Sequence, residues 1–349
     1  MHRRLLAALL ILTLAGCGDA GSRAPFADSR TPPSIARRFY APDNWAWGYV
    51  RVGDGPVQRY GVSSPPVGPR ATVLILTGYG ETAEKWFETV RHLNGAGFTV
   101  WVLERQGQGG SERATPWRDL VHARSFDPDV AAIRAMVRVV IRPGGQTPMI
   151  VLGHDQGGLA AMLAVEDGLP VDSLILSSPA LQMRSLPRSP DETRRLGLWA
   201  NRLGLGWMKW PGEPGWIREV PATTLAQRTA DRQRGSVQQA WMLANPDLRT
   251  GSPSLGWRSA FFEAAERARK DTRRIRLPVL VLTGGADSHA STTAQDQLCQ
   301  AITNCRQVRF PTGRQDLHME TDAVRSPWLT EIERFTHRPE ASGPGPVTP

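Results

Sequence analysis

The residues Gly153-His154-Asp155-Gln156-Gly157-Gly158 hold the chain's most informative spacing. An apolar run, Met149 to Leu152, precedes them, and the small-residue stretch Gly157-Gly158-Leu159-Ala160-Ala161 follows. A Gly-x-Asp-x-Gly frame between a strand and a helix reads as a sharp turn. Its central side chain stands at the end of the sheet, on a helix N-terminus. His154 points away from the cleft in such a turn. Asp155 is ionised near neutral pH, the helix N-terminus stabilises its charge, and it needs no base to act as a nucleophile. Esters are its weak point. An intermediate formed at an acyl carbon loses carboxylate more easily than alkoxide by roughly ten pKa units, so it collapses backwards. Attack at a saturated carbon has no such competition.

The elements that position this turn alternate. Ala71 to Thr77 is a nearly continuous apolar run, as expected of a strand buried on both faces. A helix over 81–94, a strand over 98–103, a helix over 130–141 and the strand 149–152 follow. The helix from Gln156 to about Asp167 and the strand 171–176 come next. After a long gap, strands at 278–282 and 307–310 and a helix at 322–335 resume the pattern. Such alternation predicts an α/β fold with a mostly parallel, doubly wound sheet. Trp47 to Val62 reads as an antiparallel hairpin at the sheet edge. Residues 182–275 break the rhythm with six of the twelve tryptophans and read as a helical lid over an apolar cleft. An ordinary helical subdomain with its own aromatic core is compatible with the same residues.

The first segment is an address. Arg3 and Arg4 precede the apolar run Leu5 to Leu14, which is too short to span a bilayer, and Leu14-Ala15-Gly16-Cys17 closes it. The Leu-Ala-Gly-Cys order resembles the lipobox of bacterial lipoproteins, which implies cleavage after Gly16 and a lipid on Cys17. The expected location is the bacterial cell envelope, anchored by lipid and facing the periplasm. Residues 17–46 form a tether before the domain. An oxidising compartment permits a bond between Cys299 and Cys305; two separate buried thiols are the alternative. No Cys or His spacing suits zinc, and no metal or cofactor is expected.

Composition bounds the rest. The 349 residues include 40% hydrophobic and 21% charged side chains, which excludes a disordered chain and a polytopic membrane protein. The net charge of +9 is dispersed, without a run of five like charges, so it reads as a solvated basic surface and no nucleic-acid partner is expected.

Taken together, these motifs resemble the monoacylglycerol lipase and bacterial lysophospholipase branch of the α/β-hydrolase fold, from about residue 47 to 337. Thr77-Gly78-Tyr79-Gly80-Glu81 is similar to its oxyanion loop, with Thr77 where His is usual. Gly107-Gln108-Gly109-Gly110-Ser111 is similar to its Gly-x-Gly-x-Ser stretch, and Asn245-Pro246-Asp247-Leu248 with Gly256-Trp257 to its lid. Thr283-Gly284-Gly285-Ala286-Asp287 matches its acid loop, and Glu320 with Asp322 resembles the entry to its last helix. The resemblance implies core segments 47–181 and 276–337 with a lid at 182–275, and the Pro/Gly-rich tail at 338–349 reads as disordered. It implies Asp287 as the catalytic acid and the backbone N–H groups of Tyr79 and Gln156 as the oxyanion site. It also exposes two departures. Asp155 stands where the family has serine, and the histidine position falls on Gln315, with His318 three residues on.

Haloalkane dehalogenases and epoxide hydrolases share the fold and use an aspartate nucleophile. By that resemblance His318 activates the water while Asp287 orients the imidazole. Their helpers are missing: Gln156 replaces a common Trp, and Tyr40, Tyr49, Tyr60 and Tyr79 all lie outside the lid. His289 is a lesser candidate base, and Ser111, Ser177 and Ser178 read as structural. Three readings follow. One is a hydrolase of esters or small lipids around Asp155, Asp287 and His318. The second is a silent protein that binds lipids or a partner through its lid, and the third is hydrolysis at a saturated carbon.

Overall fold

The computed structural model describes residues 24–26, 28–142, 147–184 and 188–336. The leader, Cys17 and the tail at 338–349 lie outside them. Eight strands form one sheet: β1 (Ala46–Val50), β2 (Gln58–Ser63), β3 (Ala71–Leu76), β4 (Phe98–Leu103), β5 (Met149–His154), β6 (Ser173–Ser177), β7 (Val279–Gly284) and β8 (Cys305–Phe310). Their order is β1-β2-β4-β3-β5-β6-β7-β8. The first hairpin and the β2–β4 pair are antiparallel, and every later pair is parallel. The expected doubly wound sheet with an edge hairpin is therefore present.

Alternate strand residues feed two cores. Leu74, Leu76, Val151 and Leu174 face one side, against helices α2 (Asp127–Ala135) and α3 (Gln156–Glu166). Val73, Ile75, Ile150 and Leu152 face the other, with Trp86, Val90 and Leu93 around α1 (Phe87–Gly95). The inner strands β3 and β5 are buried along their whole length, as near-continuous apolar runs require. Between β6 and β7 come α4 (Pro190–Arg202), α5 (Ala222–Arg228), α6 (Arg232–Ala244) and α7 (Leu255–Asp271). Then α8 (Thr292–Ala301) and α9 (Asp322–Thr336) complete the chain's described helices. A disulfide joins Cys299 of α8 to Cys305, the first residue of β8.

The first helix starts later than its sequence pattern suggests. Residues Ala83–Trp86 form a 3-10 turn before α1 begins at Phe87. Glu81 does not enter a helix because its carboxylate turns back to accept the Gly78 N–H at 2.8 Å.

Candidate active site

The turn after β5 is strained where chemistry is expected. Asp155 has φ +51° and ψ −116°, a region that non-glycine residues seldom occupy. Its neighbours must be small: a Cβ on Gly157 would collide with the Leu76 carbonyl, and one on Gly153 would lie 2.5 Å from Gly158 Cα. Asp155 immediately precedes α3, its side chain makes no hydrogen bond to that helix's first turn, and it is only 3% exposed. Its Oδ2 accepts the Tyr79 N–H at 2.9 Å, and its Oδ1 accepts Gln315 Nε2–H at 3.2 Å. The carboxylate thus sits on the amide expected to hold an oxyanion. The Gln156 amide opens α3, in the first turn where N–H groups have no intrahelical acceptor. Gln108 supports the loop by accepting the Gly80 N–H at 2.7 Å.

Asp287 follows β7, as the acid loop requires. Its Oδ1 accepts the N–H groups of His289 and Ala290 at 2.8 and 3.0 Å, while Oδ2 is buried without a partner. Burial pushes its carboxyl up to about 6 against those two N–H groups, and the charge of Asp155 adds to the rise. Gln315 Oε1 is likewise buried without a partner. Burial also holds the His289 imidazole below its ordinary value.

The expected Asp287–His318 pair is not formed. His318 is fully buried and stacks on Trp86, ring centroids 3.8 Å apart and 3° from parallel. Neither of its ring nitrogens has a hydrogen-bond partner, so it bonds to neither Asp155 nor Asp287. Burial drives its pKa well below the usual imidazole range, which leaves it neutral. An indole face is a strong claim on a neutral ring, and it outweighs the short sequence distance to Gln315. His318 is therefore withdrawn as the base.

A polar floor lies beneath the turn. His154 Nδ1 donates to Glu81 at 3.1 Å and Nε2 donates to the Gln315 carbonyl at 3.2 Å. Both partners are acceptors, which fixes His154 as an imidazolium. Burial opposes this charge, but Glu81, Asp316 and Asp155 together raise its pKa to about 9. Lys85 bridges Glu81 at 2.5 Å and Asp316 at 2.7 Å. Although burial pushes Asp316 upward, Lys85 and Arg228 hold its carboxyl down at about 2. Ligand atoms of Glu81, His154 and His318 lie within 4.8 Å of one another. Glu81 is nonetheless committed to Lys85, His154, the Gly78 amide and the Trp86 indole N–H.

No pattern in the chain points to Arg228. It ends α5 and approaches Asp316 at 3.7 Å. Burial lowers its pKa, but the carboxylates of Asp316, Asp155 and Glu81 outweigh that and raise it. Lys85 carried a faint signal, four residues after Glu81 and of opposite charge. Two cavities meet at Tyr79. One of about 180 Å³ is lined by Gln156, Trp257, Phe261 and Phe262. The other, about 360 Å³, touches Lys85, Arg228, Gln238 and Asp316. Ser111 and Ser177 are structural: their hydroxyls accept the Arg59 amide and the Trp328 indole N–H.

A strained strand-to-helix turn, amides from the loop after β3 and an acid after β7 define an α/β-hydrolase. The family model described as "Serine aminopeptidase, S33" matches residues 68–322, and the chain belongs to that family. It is similar to lysophospholipase L2 of Escherichia coli, 24% identical over 282 residues, 76% of this chain and 80% of that protein. It is also similar to the monoacylglycerol lipase of Mycolicibacterium smegmatis, 30% identical over 126 residues, 35% of this chain and 42% of that protein. Among solved structures, a soluble variant of monoglyceride lipase from Saccharomyces cerevisiae matches with a TM-score of 0.66 at 15% identity, covering 90% of this chain and 98% of that one. The monoacylglycerol lipase of Paleococcus ferrophilus matches at 0.63 and 20% identity, covering 79% and 97%. The protein is an α/β-hydrolase of the lysophospholipase and monoacylglycerol lipase branch.

Proposed function

We propose that this protein hydrolyses esters of small lipids, as a lipid-anchored protein of the bacterial cell envelope, with Asp155 as the reacting group. The observation that carries this reading is the position of Asp155: a buried carboxyl group at the turn after β5, against the Tyr79 amide and close to an apolar cavity lined by Tyr79 and Gln156. Backward collapse disfavours Asp155 as an acyl acceptor. Its better role is as a base on water. Water oxygen adds to the acyl carbon while Asp155 takes the proton, and the oxyanion takes the Gln156 amide and displaces the Asp155 carboxylate from the Tyr79 amide. The same proton then passes to the leaving alkoxide, so ester and water give acid and alcohol.

A specific observation favours a second reading. Tyr79 and Gln315 both spend their N–H groups on Asp155, so the resting site is filled by its own carboxylate. That arrangement suits a protein that binds lipids without turnover. Purified protein incubated with lysophospholipid, monoacylglycerol and short-acyl esters separates the two. Fatty acid release that Asp155→Asn abolishes supports hydrolysis. Lipid binding without release, at wild-type fold, selects the binding protein.

A further inference from the structure

The two cavities that meet at Tyr79 differ in chemistry. Trp257, Phe261 and Phe262 give the smaller an apolar wall, and its one charged residue, Arg258, is paired with Glu213. The larger is lined by Lys85, Arg228, Arg234 and Asp316, three cations to one acid.

Those cations are not equally committed. Lys85 donates to Glu81 and Asp316. Arg234 donates to Glu88, Asp231, Asp322 and the Glu320 carbonyl. The Arg228 guanidinium, at the end of α5, makes no hydrogen bond to the described residues. Its contact with Asp316 Oδ1 is 3.7 Å, too long for one, and that oxygen accepts no hydrogen bond at all. The Arg228 side chain is 33% exposed and stands on the cavity wall. Guanidinium carries five N–H donors in a planar fork that matches a phosphate or a carboxylate. Here the fork is open.

Its position suits a ligand that also reaches the reacting group. Burial lowers the Arg228 pKa while Asp316 and then Asp155 raise it, so the charge of Arg228 is felt at Asp155. The acids nearby do not close the place to an anion. Asp316 Oδ2 is held by Lys85, and the Asp155 oxygens accept from the Tyr79 amide and Gln315. A neutral glycerol group would leave the Arg228 charge without a counter-ion, whereas an anionic one answers it with paired, charge-assisted hydrogen bonds.

We infer that Arg228 is a specificity-determining residue, which binds an anionic group on the alcohol side of a lipid whose acyl chain lies in the smaller cavity. That group is a phosphodiester or a carboxylate. The ester then falls at Tyr79, between the two cavities and beside Asp155. The inference rests on the reading that a lipid occupies these cavities, and it adds the charge of the headgroup. It does not depend on Asp155 turning over.

The test uses the chain from residue 17 carrying Cys17→Ala, so that no acyl group on the protein contributes. Octylglycerol, octyl-glycerophosphoglycerol and octylglycerate are ether-linked, share one chain and cannot be hydrolysed. Calorimetric titration below their micelle concentrations should show the anions binding roughly five- to tenfold tighter than octylglycerol, with the gap narrowing in high salt. A gap for one anion alone keeps the inference and identifies the group. Arg228→Gln should close the gap while octylglycerol binding stays within about twofold, and Arg228→Lys should restore part of it. Thermal unfolding checks that both variants are folded. Equal affinity of the parent for all three ligands overturns the inference. So does an Arg228→Gln variant that weakens all three alike, because Arg228 would then only brace the cavity wall beside Asp316. Failure of every ligand to bind overturns it together with lipid occupancy. The hydrolysis reading fails separately, when the same protein prefers the anions yet releases no octanoate from octanoylglycerol.

Discussion

Gln315 Nε2 donates a 3.2 Å hydrogen bond to Asp155 Oδ1, joining the two side chains that the motif resemblance sets at the histidine and serine positions. The two departures are thus one arrangement. A histidine there would exchange protons with Asp155, whereas the Gln315 amide donates a hydrogen bond through Nε2 and takes no proton near neutral pH. The His154 imidazolium holds the Gln315 carbonyl and so aims its side chain.

That imidazolium should make the fold sensitive to alkali. The His154 pKa is raised to about 9 from an unfolded value near 6.5, so its stabilisation is complete below about pH 6.5 and is lost as pH rises through 9. Denaturant unfolding should show roughly 1–3 kcal/mol lost between pH 6.5 and 9.5. Glu81→Gln should lower stability at pH 6.5 and flatten this slope. An equal slope in both proteins assigns the titration elsewhere.

Asp287 titrates in the opposite setting. Its folded pKa is about 6, above the unfolded value, so its contribution is complete below about pH 4 and is lost as pH rises through 6. Asp287→Asn keeps the oxygen that accepts the His289 and Ala290 amides and cannot ionise. The variant should match wild type near pH 4 and exceed it by roughly 1–3 kcal/mol at pH 7.5. A variant that is less stable at pH 7.5 would mean that the Asp287 charge has a partner.

Much of this was legible in the chain. Val73 to Leu76 and Val279 to Leu282 are runs that only a doubly covered strand explains, and the Gly-x-Asp-x-Gly frame marked the turn between β5 and α3. What was hidden depends on contacts distant in sequence. His318 looked catalytic from its distance to Gln315, but Trp86, over two hundred residues earlier, claims its ring. Arg228 arrives from a helix between β6 and β7, and no local pattern announces which lid residue will face a buried carboxylate.

Anchoring is testable through Cys17. The wild-type protein should stay with membranes until detergent is added. Cys17→Ala should be recovered in the soluble fraction, since the acyl chains that hold it are gone. Wild-type protein found in the aqueous fraction would end the lipoprotein reading.

The Cys299–Cys305 bond closes a short loop, with a sequence separation of 6. Loop-closure entropy for that length gives roughly 2 kcal/mol. Unfolding with and without reductant should differ by about this amount, and Cys299→Ala with Cys305→Ala should behave as the reduced protein. No difference would mean that the bond is absent from the purified protein.

The most discriminating experiment rebuilds what the family ordinarily has. Asp155→Ser frees the Tyr79 amide for an oxyanion and supplies a hydroxyl nucleophile. Alone it should remain inert on short-acyl esters. Gln315 cannot take a proton, His318 is stacked on Trp86 and His154 has both nitrogens occupied. Asp155→Ser with Gln315→His places an imidazole where the amide now reaches residue 155, and Asp287 Oδ2 is buried with no other partner. Base assistance of this kind contributes about 10²–10⁴-fold when the geometry is right, so the double variant should exceed the single by at least tenfold. The gain should fall away below about pH 6, where both the introduced imidazole and the Asp287 carboxylate become protonated. A single variant as active as the double would reveal a base elsewhere, with His289 the first to replace. Two folded but inert variants would favour the reading in which the protein binds lipid without turnover.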